Sequence, residues 1–309
     1  MKLGYIGMPN GDSQFRTHEH LALADRLNFH LAYFPETSPE YFAAPERKPA
    51  STMKIALDAA AFGPLSPSEI EEAVRLVSDK LGAQLSLGIQ MSSATSDTKS
   101  KTRAQAFETL FSYDPRVEQL IPVSHFPMKP PRPEIIGLPV TGASSEARLA
   151  AARGYSPMTP SWLSDKDVAR VWPAIVNGAT SAVRRAQPSQ WQVNRLIIVH
   201  DDDATLNEYA YGANSPYRRH FARHAQHGLI DSDVDAHLNR VVIAGSANKV
   251  AEEILELREA VGEFGALNIV DPIGTDPNMT KATMLRLAQD VMPMIEKSYV
   301  SPLKNLERT

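Results

Sequence analysis

Gly142-Ala143-Ser144-Ser145 brings small residues and two hydroxyls to a point where an apolar run, Glu134–Gly142, gives way to a helical pattern, Ser144–Arg153. A helix that starts there offers free backbone N–H groups and the positive end of its dipole. Small residues let an anion approach and the hydroxyls donate to it, so phosphate binding is one reading. The other is an ordinary cap, with Ser144 or Ser145 accepting from a first-turn amide. His220, His224 and His227 recur at i, i+4, i+7 in RRHFARHAQHG and line one helical face. Metal ligation would use such a face, but no Glu fills the H-E-x-x-H position and arginines crowd it, so a solvated helix is expected. His200-Asp201-Asp202-Asp203 closes an apolar run ahead of helical sequence. Asp is a common N-cap there, and a role at the end of a barrel strand is the alternative. His18 and His20 open the first helix and are expected to face solvent. His125-Phe126, with Met128, sets an imidazole among apolar side chains and could form a lid. Neither a G-x-S-x-G elbow nor a P-loop is present.

The elements that must position these groups alternate. Strand patterns fall at Lys2–Met8, His30–Phe34, Lys54–Ala61, Gln84–Met91, Glu134–Gly142, Tyr155–Trp162, Asn194–His200 and Ala266–Val270. Helical patterns fall between them, at Thr17–Leu27, Ser66–Leu81, Lys101–Phe111, Ser144–Arg153 and Asp165–Ala186, with Thr280–Lys297 closing the chain. A helical excursion follows Asn194–His200. In Arg240–Asp271 a Gly-Ser pair opens a helix with Ser246 as N-cap, and Val250, Ile254, Leu257 and Val261 form one apolar face. About eight strands, each followed by helical sequence, imply a parallel sheet, and in this length a TIM (β/α)8 barrel. Gly4, Gly7 and Gly11 do not match the G-x-G-x-x-G spacing of a dinucleotide fold. The polar stretch Gln90–Lys101 follows the fourth strand and belongs to the barrel's C-terminal face.

Composition narrows the function. With 309 residues, 43% hydrophobic, the chain has material for a sizeable core, and residues 1–309 are expected to form a single barrel domain. A net charge of −4 gives no field for nucleic acid or anionic lipid. Cysteine is absent, which removes disulfides, thiolate catalysis and Cys-ligated metals. No apolar run reaches membrane-spanning length and the N-terminus does not read as a signal peptide, so a soluble cytoplasmic protein without a metal is expected.

Three blocks resemble the bacterial luciferase-like flavin monooxygenases: SPSEIEEAVRLVSDKLGAQLSLGI (Ser66 to Ile89), VTGASSEARLAAARGYSPMTPSW (Val140 to Trp162), and the tail from Arg240 to Asp271. The resemblance implies a luciferase-like (β/α)8 barrel with FMN at its C-terminal face. It puts Gly142, Ala143, Ser144 and Ser145 at the flavin phosphate. It puts Asp58, Ala59 and Ala60 beneath the isoalloxazine ring, with Gln90 and Trp162 also at the cofactor. It implies reduced FMN from a separate reductase, O2, a small apolar substrate of the aldehyde or ketone type, and a homodimer.

The chain also departs from the family. NFHLAYFPE resembles the usual second strand, but Thr37 stands where a catalytic histidine is expected. Glu36 is then the candidate for proton transfer, if burial raises its pKa, with His125 as a second. Met91 replaces an arginine that can meet the phosphate, and the chain is short between Phe34 and Lys54. Three alternatives stay open: an F420-dependent oxidoreductase on the same barrel, a non-catalytic flavin-binding protein, and an unrelated TIM-barrel enzyme. Against the last, no strand carries a lysine at its C-terminal end; Lys54 opens its strand.

Overall fold

The computed structural model describes residues 1–7, 14–34, 52–58, 85–91, 134–139, 142, 144–230 and 233–298. Short apolar runs form the strands β1 (Lys2–Gly7), β2 (Leu31–Tyr33), β3 (Lys54–Asp58), β4 (Leu85–Met91), β5 (Glu134–Pro139), β6 (Ser156–Thr159), β7 (Gln192–Arg195), β8 (Ile197–Val199), β9 (Ile243–Gly245) and β10 (Ala266–Asp271). Eight of them close a barrel in the order β1-β10-β7-β6-β5-β4-β3-β2. Each neighbour pair is parallel. The C-terminal ends of all eight therefore open on one face, as a TIM barrel requires.

The run Asn194–His200, expected as one strand, serves two sheets. Over Gln192–Arg195 it pairs with β6 and β10; beyond Leu196 it pairs with β9 in a separate two-stranded sheet. Parallel strands covered on both faces read as continuous apolar runs, which hides such a change of partner.

The described helices are α1 (Gln14–Arg26), α2 (Ser144–Arg153), α3 (Asp165–Ala169), α4 (Val171–Ser181), α5 (Asp203–Leu206), α6 (Pro216–Gln226), α7 (Val234–Val241), α8 (Ala247–Val261) and α9 (Pro277–Arg286). Helix continues beyond α9 to residue 298 through a π segment at Leu287–Val291. Ser246 caps α8 by accepting from Lys249 N–H, and Val250, Ile254, Leu257 and Val261 are buried. Each such side chain, removed from water, is worth about 1.5–3 kcal/mol. The expected helix Asp165–Ala186 is instead two helices broken at Arg170 and stopped at Ala182. The stop is a Schellman motif: Arg184 N–H donates to Ala179 O (2.8 Å) and Val183 N–H to Thr180 O (3.0 Å).

Two cores follow from strand alternation. Leu3, Tyr5, Leu57, Leu87 and Leu267 pack outward against helix residues such as Leu21, Ile175, Val250, Ile254 and Leu287. Ile6, Tyr33, Ala56, Leu138 and Val270 form a second cluster with Tyr217, Phe221 and Leu238 of α6 and α7. The helical excursion thus packs on the strands' inner side chains. At the N-terminal ends of the strands, Lys54 pairs with Glu134, which also accepts from Ser156 Oγ at 2.5 Å. Burial works against the Glu134 carboxylate, but these contacts hold its pKa below the usual value. This end of a barrel serves stability.

Candidate active site

Gly142 precedes α2 in the left-handed region, φ +79°. A Cβ here would stand 3.1 Å from Pro160, 3.2 Å from Leu163 and 3.4 Å from the Trp162 indole nitrogen. Glycine is therefore required both by its backbone and by the close approach of β6's exit. Its N–H donates to Glu146 Oε2 at 3.0 Å, and Glu146 is buried. The carboxylate reaches back from the first turn as in a capping box. Gly142 contributes shape here, since its amide is already engaged. Ser144 and Ser145 are half-buried in the first turn of α2. Trp162 Nε1 is buried and has no hydrogen-bond partner among the described residues.

A buried donor without an acceptor costs about 1–3 kcal/mol. An anionic oxygen beside the α2 N-terminus would satisfy it. These residues fit a phosphate, with Glu146 as the feature that opposes a second negative charge.

Trp162 is held from two sides. His237 Nε2 lies 2.6 Å from its carbonyl oxygen, and the His224 ring stacks on the indole at 4.1 Å between centroids. His220 lies behind His224 at 4.4 Å, its Nε2 3.3 Å from Ser161 Oγ. The solvated helix expected from the sequence is therefore corrected: His220 is buried and His224 half-buried, while His227 is exposed. Burial, then the charges of His224 and Arg223, push His220 down to about 3. Burial also lowers His224, which donates from Nδ1 to the His220 carbonyl at 2.7 Å. Both are neutral near pH 7. Among the described residues no cluster of His, Asp or Glu is arranged to hold a metal.

The expectation for His200–Asp203 resolves as capping. Asp202 accepts from Thr205 N–H at 2.8 Å and starts α5. His20, expected at the surface, is buried, 2.9 Å from Tyr5 Oη. Tyr5 also reaches Asp271 Oδ2 at 2.9 Å, at the C-terminal end of β10. Burial raises Asp271 to about 6, against hydrogen bonds from Tyr5, Thr280 and Thr275. Asp271 could have been singled out as the last residue of a barrel strand; nothing in the sequence marks Tyr5 or His237.

Of the remaining expected site residues, Asp58 and Gln90 lie in the C-terminal halves of β3 and β4. Glu36, Ala59, Ala60, His125 and Ala143 lie outside the described residues. Next to the segment after β10 is a cavity of about 610 Å³ lined by Asn207, Tyr209, Arg219, Gly274, Thr275 and Asp276, among others.

No family model and no curated protein matches the sequence. Solved structures do match in fold. The oxygenating constituent of 3,6-diketocamphane monooxygenase from Pseudomonas putida, a type II Baeyer-Villiger monooxygenase in complex with FMN, superposes with a TM-score of 0.73 at 18% identity, covering 96% of this chain and 98% of that one. Monooxygenase RslO1 from Streptomyces bottropensis gives 0.71 at 16% identity over 95% and 99%. The coenzyme F420 dependent tetrahydromethanopterin reductase from Methanopyrus kandleri gives 0.62 at 14% identity over 95% and 99%. The luciferase-like barrel expected from the sequence is the fold found.

Proposed function

We propose that this chain is a divergent luciferase-like flavin monooxygenase, which uses reduced FMN from a separate reductase and O2 to oxygenate a small apolar substrate of the aldehyde or ketone type. The observation that carries the reading is the buried Trp162 N–H, without an acceptor among the described residues, beside Gly142 and the α2 N-terminus. It sits on a barrel shared with an FMN-bound monooxygenase along nearly the whole chain.

In this reading the first-turn amides and hydroxyls of Ser144 and Ser145, with Trp162 Nε1, hold the phosphate, and Gly142 and Ala143 give it room. Asp58, Ala59, Ala60 and Gln90 line the ring. Reduced FMN, when bound, supplies the electrons that activate O2. The protein's part is to orient the ring, exclude water and move protons. Glu36 and His125 are the proton carriers proposed, in place of the histidine that Thr37 replaces. The imidazoles of His224 and His237 hold Trp162 in position. The functional unit is proposed to be a cytoplasmic homodimer of single-domain chains.

F420-dependent hydride transfer is the second reading, favoured by the likeness to the Methanopyrus kandleri reductase. Anaerobic titration with reduced FMN, and in parallel with F420, separates the two. Saturable binding of reduced FMN, followed by aldehyde- or ketone-dependent product formation on admitting O2, is expected. Binding of F420 alone moves the assignment to the reductase class. Binding of neither overturns it and leaves the barrel standing.

A further inference from the structure

The segment after β10, residues 272–276, starts from Asp271 and ends at Pro277, and both ends are tied to the same pair of side chains. Tyr5 Oη lies 2.9 Å from Asp271 Oδ2 and 2.9 Å from His20 Nδ1. His20 Nε2 lies 3.3 Å from the Pro277 carbonyl oxygen. The Tyr5 and His20 rings meet edge to face, 5.7 Å between centroids. Tyr5 and His20 are buried and Asp271 is half-buried.

Counting hydrogens along this chain limits its states. A carbonyl oxygen can only accept, so the Pro277 contact needs a hydrogen on His20 Nε2, and the three contacts together need three hydrogens. The phenol has one hydrogen and two partners. If it goes to Asp271, the His20 Nδ1 must donate to Oη, and with Nε2 also donating to Pro277 His20 is an imidazolium beside a carboxylate. If it goes to Nδ1, Asp271 must be the protonated acid that donates to Oη, and His20 is neutral. The two arrangements have the same atoms and the same net charge. They interconvert when the Asp271 O–H breaks as a new O–H forms at Oη, while the phenol's own hydrogen passes to Nδ1; no electrons are gained or lost. Remove one proton from the set and two hydrogens remain for three contacts. Neutral His20 carries its hydrogen on Nε2 or on Nδ1, so the contact that is lost is one of the two made by Tyr5 or the one to Pro277.

We propose that Tyr5, His20 and Asp271 hold one shared proton, and that this proton clamps the 272–276 segment by both ends against β1 and α1. Through Gly274, Thr275 and Asp276 the segment lines the 610 Å³ cavity, together with Asn207, Tyr209 and Arg219. Loss of the proton frees one end of that wall. The device is independent of whether the chain binds a flavin.

Several described groups face the chain. On α1, Glu19 is paired with Lys281 of α9. On α6, Tyr217 donates to the Ile197 carbonyl at 2.7 Å, and burial then the charge of Asp271 raise its pKa well above the usual value, so it stays neutral. Thr275 and Thr280 offer Asp271 neutral hydroxyls. Asp276 caps α9, accepting from Asn278 N–H at 2.8 Å, and Tyr209 Oη is 3.5 Å from it. Arg219 is turned to the Asn214 carbonyl and packs against Gly274. Burial lifts Asp271 to about 6, which brings release of the proton close to neutral pH.

Hydrogen–deuterium exchange of the peptide covering 271–280 in the full chain tests the clamp, with rates corrected for intrinsic exchange. The wild-type segment is expected to be about fivefold better protected at about pH 5 than at about pH 8, the population change of roughly one hydrogen bond. Asp271→Asn supplies an amide donor to Tyr5 Oη at every pH, so its protection is expected to stay high at both. Tyr5→Phe removes both contacts, and protection is expected to be low at both. A wild type without the pH step, or an Asp271→Asn variant that keeps it, overturns the proposal. That comparison decides the matter without Tyr5→Phe, should the phenylalanine variant fail to fold.

Discussion

Trp162 and His224 stack at 4.1 Å with their planes inclined by 35°. The contact fixes the indole so that its buried N–H lies beside Gly142, where a Cβ would stand 3.4 Å from it. A donor held there without an acceptor among the described residues is the arrangement expected at a site that waits for an anion. Trp162→Phe keeps a ring for His224 and deletes the donor. It is expected to weaken reduced-FMN binding by about 1 kcal/mol, and Ser144→Ala with Ser145→Ala by about 1–3 kcal/mol. Riboflavin, which lacks the phosphate, should bind all the variants equally. Calorimetric titration with both flavins checks this, and equal losses for riboflavin would remove the phosphate from the site.

His220 and Asp271 give the pH dependence of stability two opposing slopes. Folded His220 titrates at about 3 against an ordinary 6.5, so the unfolded chain binds the extra proton and stability falls as pH drops from 6.5 toward 3. Folded Asp271 titrates at about 6 against 3.8, so here the folded chain binds the extra proton and stability falls as pH rises from 3.8 toward 6. Relative to wild type, His220→Gln should tilt the stability profile between those values toward low pH, and Asp271→Asn toward high pH. Each tilt is at most about 1.4 kcal/mol per pH unit. Urea unfolding at a series of pH values reads both, and a variant with the wild-type slope shows that its residue does not titrate as described.

Local rules made some of this legible in the sequence. The apolar face of α8 and the Ser246 cap follow from spacing within fifteen residues, and the Ser144–Arg153 helix begins and ends where its pattern does. Barrel closure follows from the alternation of strand and helix. His20 and His220 were not legible, because their burial comes from elements far along the chain. Pro277 is 257 residues from His20, and Ser161 is 59 from His220. An imidazole at helical spacing reads the same whether the surface above it is water or another helix. The engagement of the Gly142 amide by Glu146 was hidden for a different reason: in the sequence the residue before Ser144, Ala143, has no side-chain oxygen, so no capping-box signature stands there.

Val183 closes α4 in the left-handed region at φ +56° and is 86% exposed. Gly154 ends α2 through the same pair of bonds, with φ +77°. A β-branched residue pays about 1–2 kcal/mol for that conformation, whereas glycine adopts it freely. Val183→Gly should therefore stabilise the chain by about 1 kcal/mol, after the entropy that glycine adds to the unfolded state. An exposed side chain offers no packing to lose. A raised urea midpoint with an unchanged slope is the expected result, and a lowered one would mean that the motif does not form in solution.

Arg195 is almost wholly buried, and it is held by Asp165 at 2.7 Å and by the Asn194 carbonyl at 3.0 Å. Burial, partly offset by Asp165, lowers the guanidinium's pKa without discharging it. A buried charge deprived of its partner is strongly unfavourable, whereas removing both charges and filling the volume is often neutral. Asp165→Asn is expected to destabilise by about 1–3 kcal/mol, the lower part of that range reflecting the carboxylate's partial exposure. Adding Arg195→Met to it should recover part of that loss. Unfolding free energies of the two singles and the double give the coupling directly. A double variant as unstable as the sum of the singles would show that Arg195 is kept in the wall of the barrel by its packing and not by Asp165.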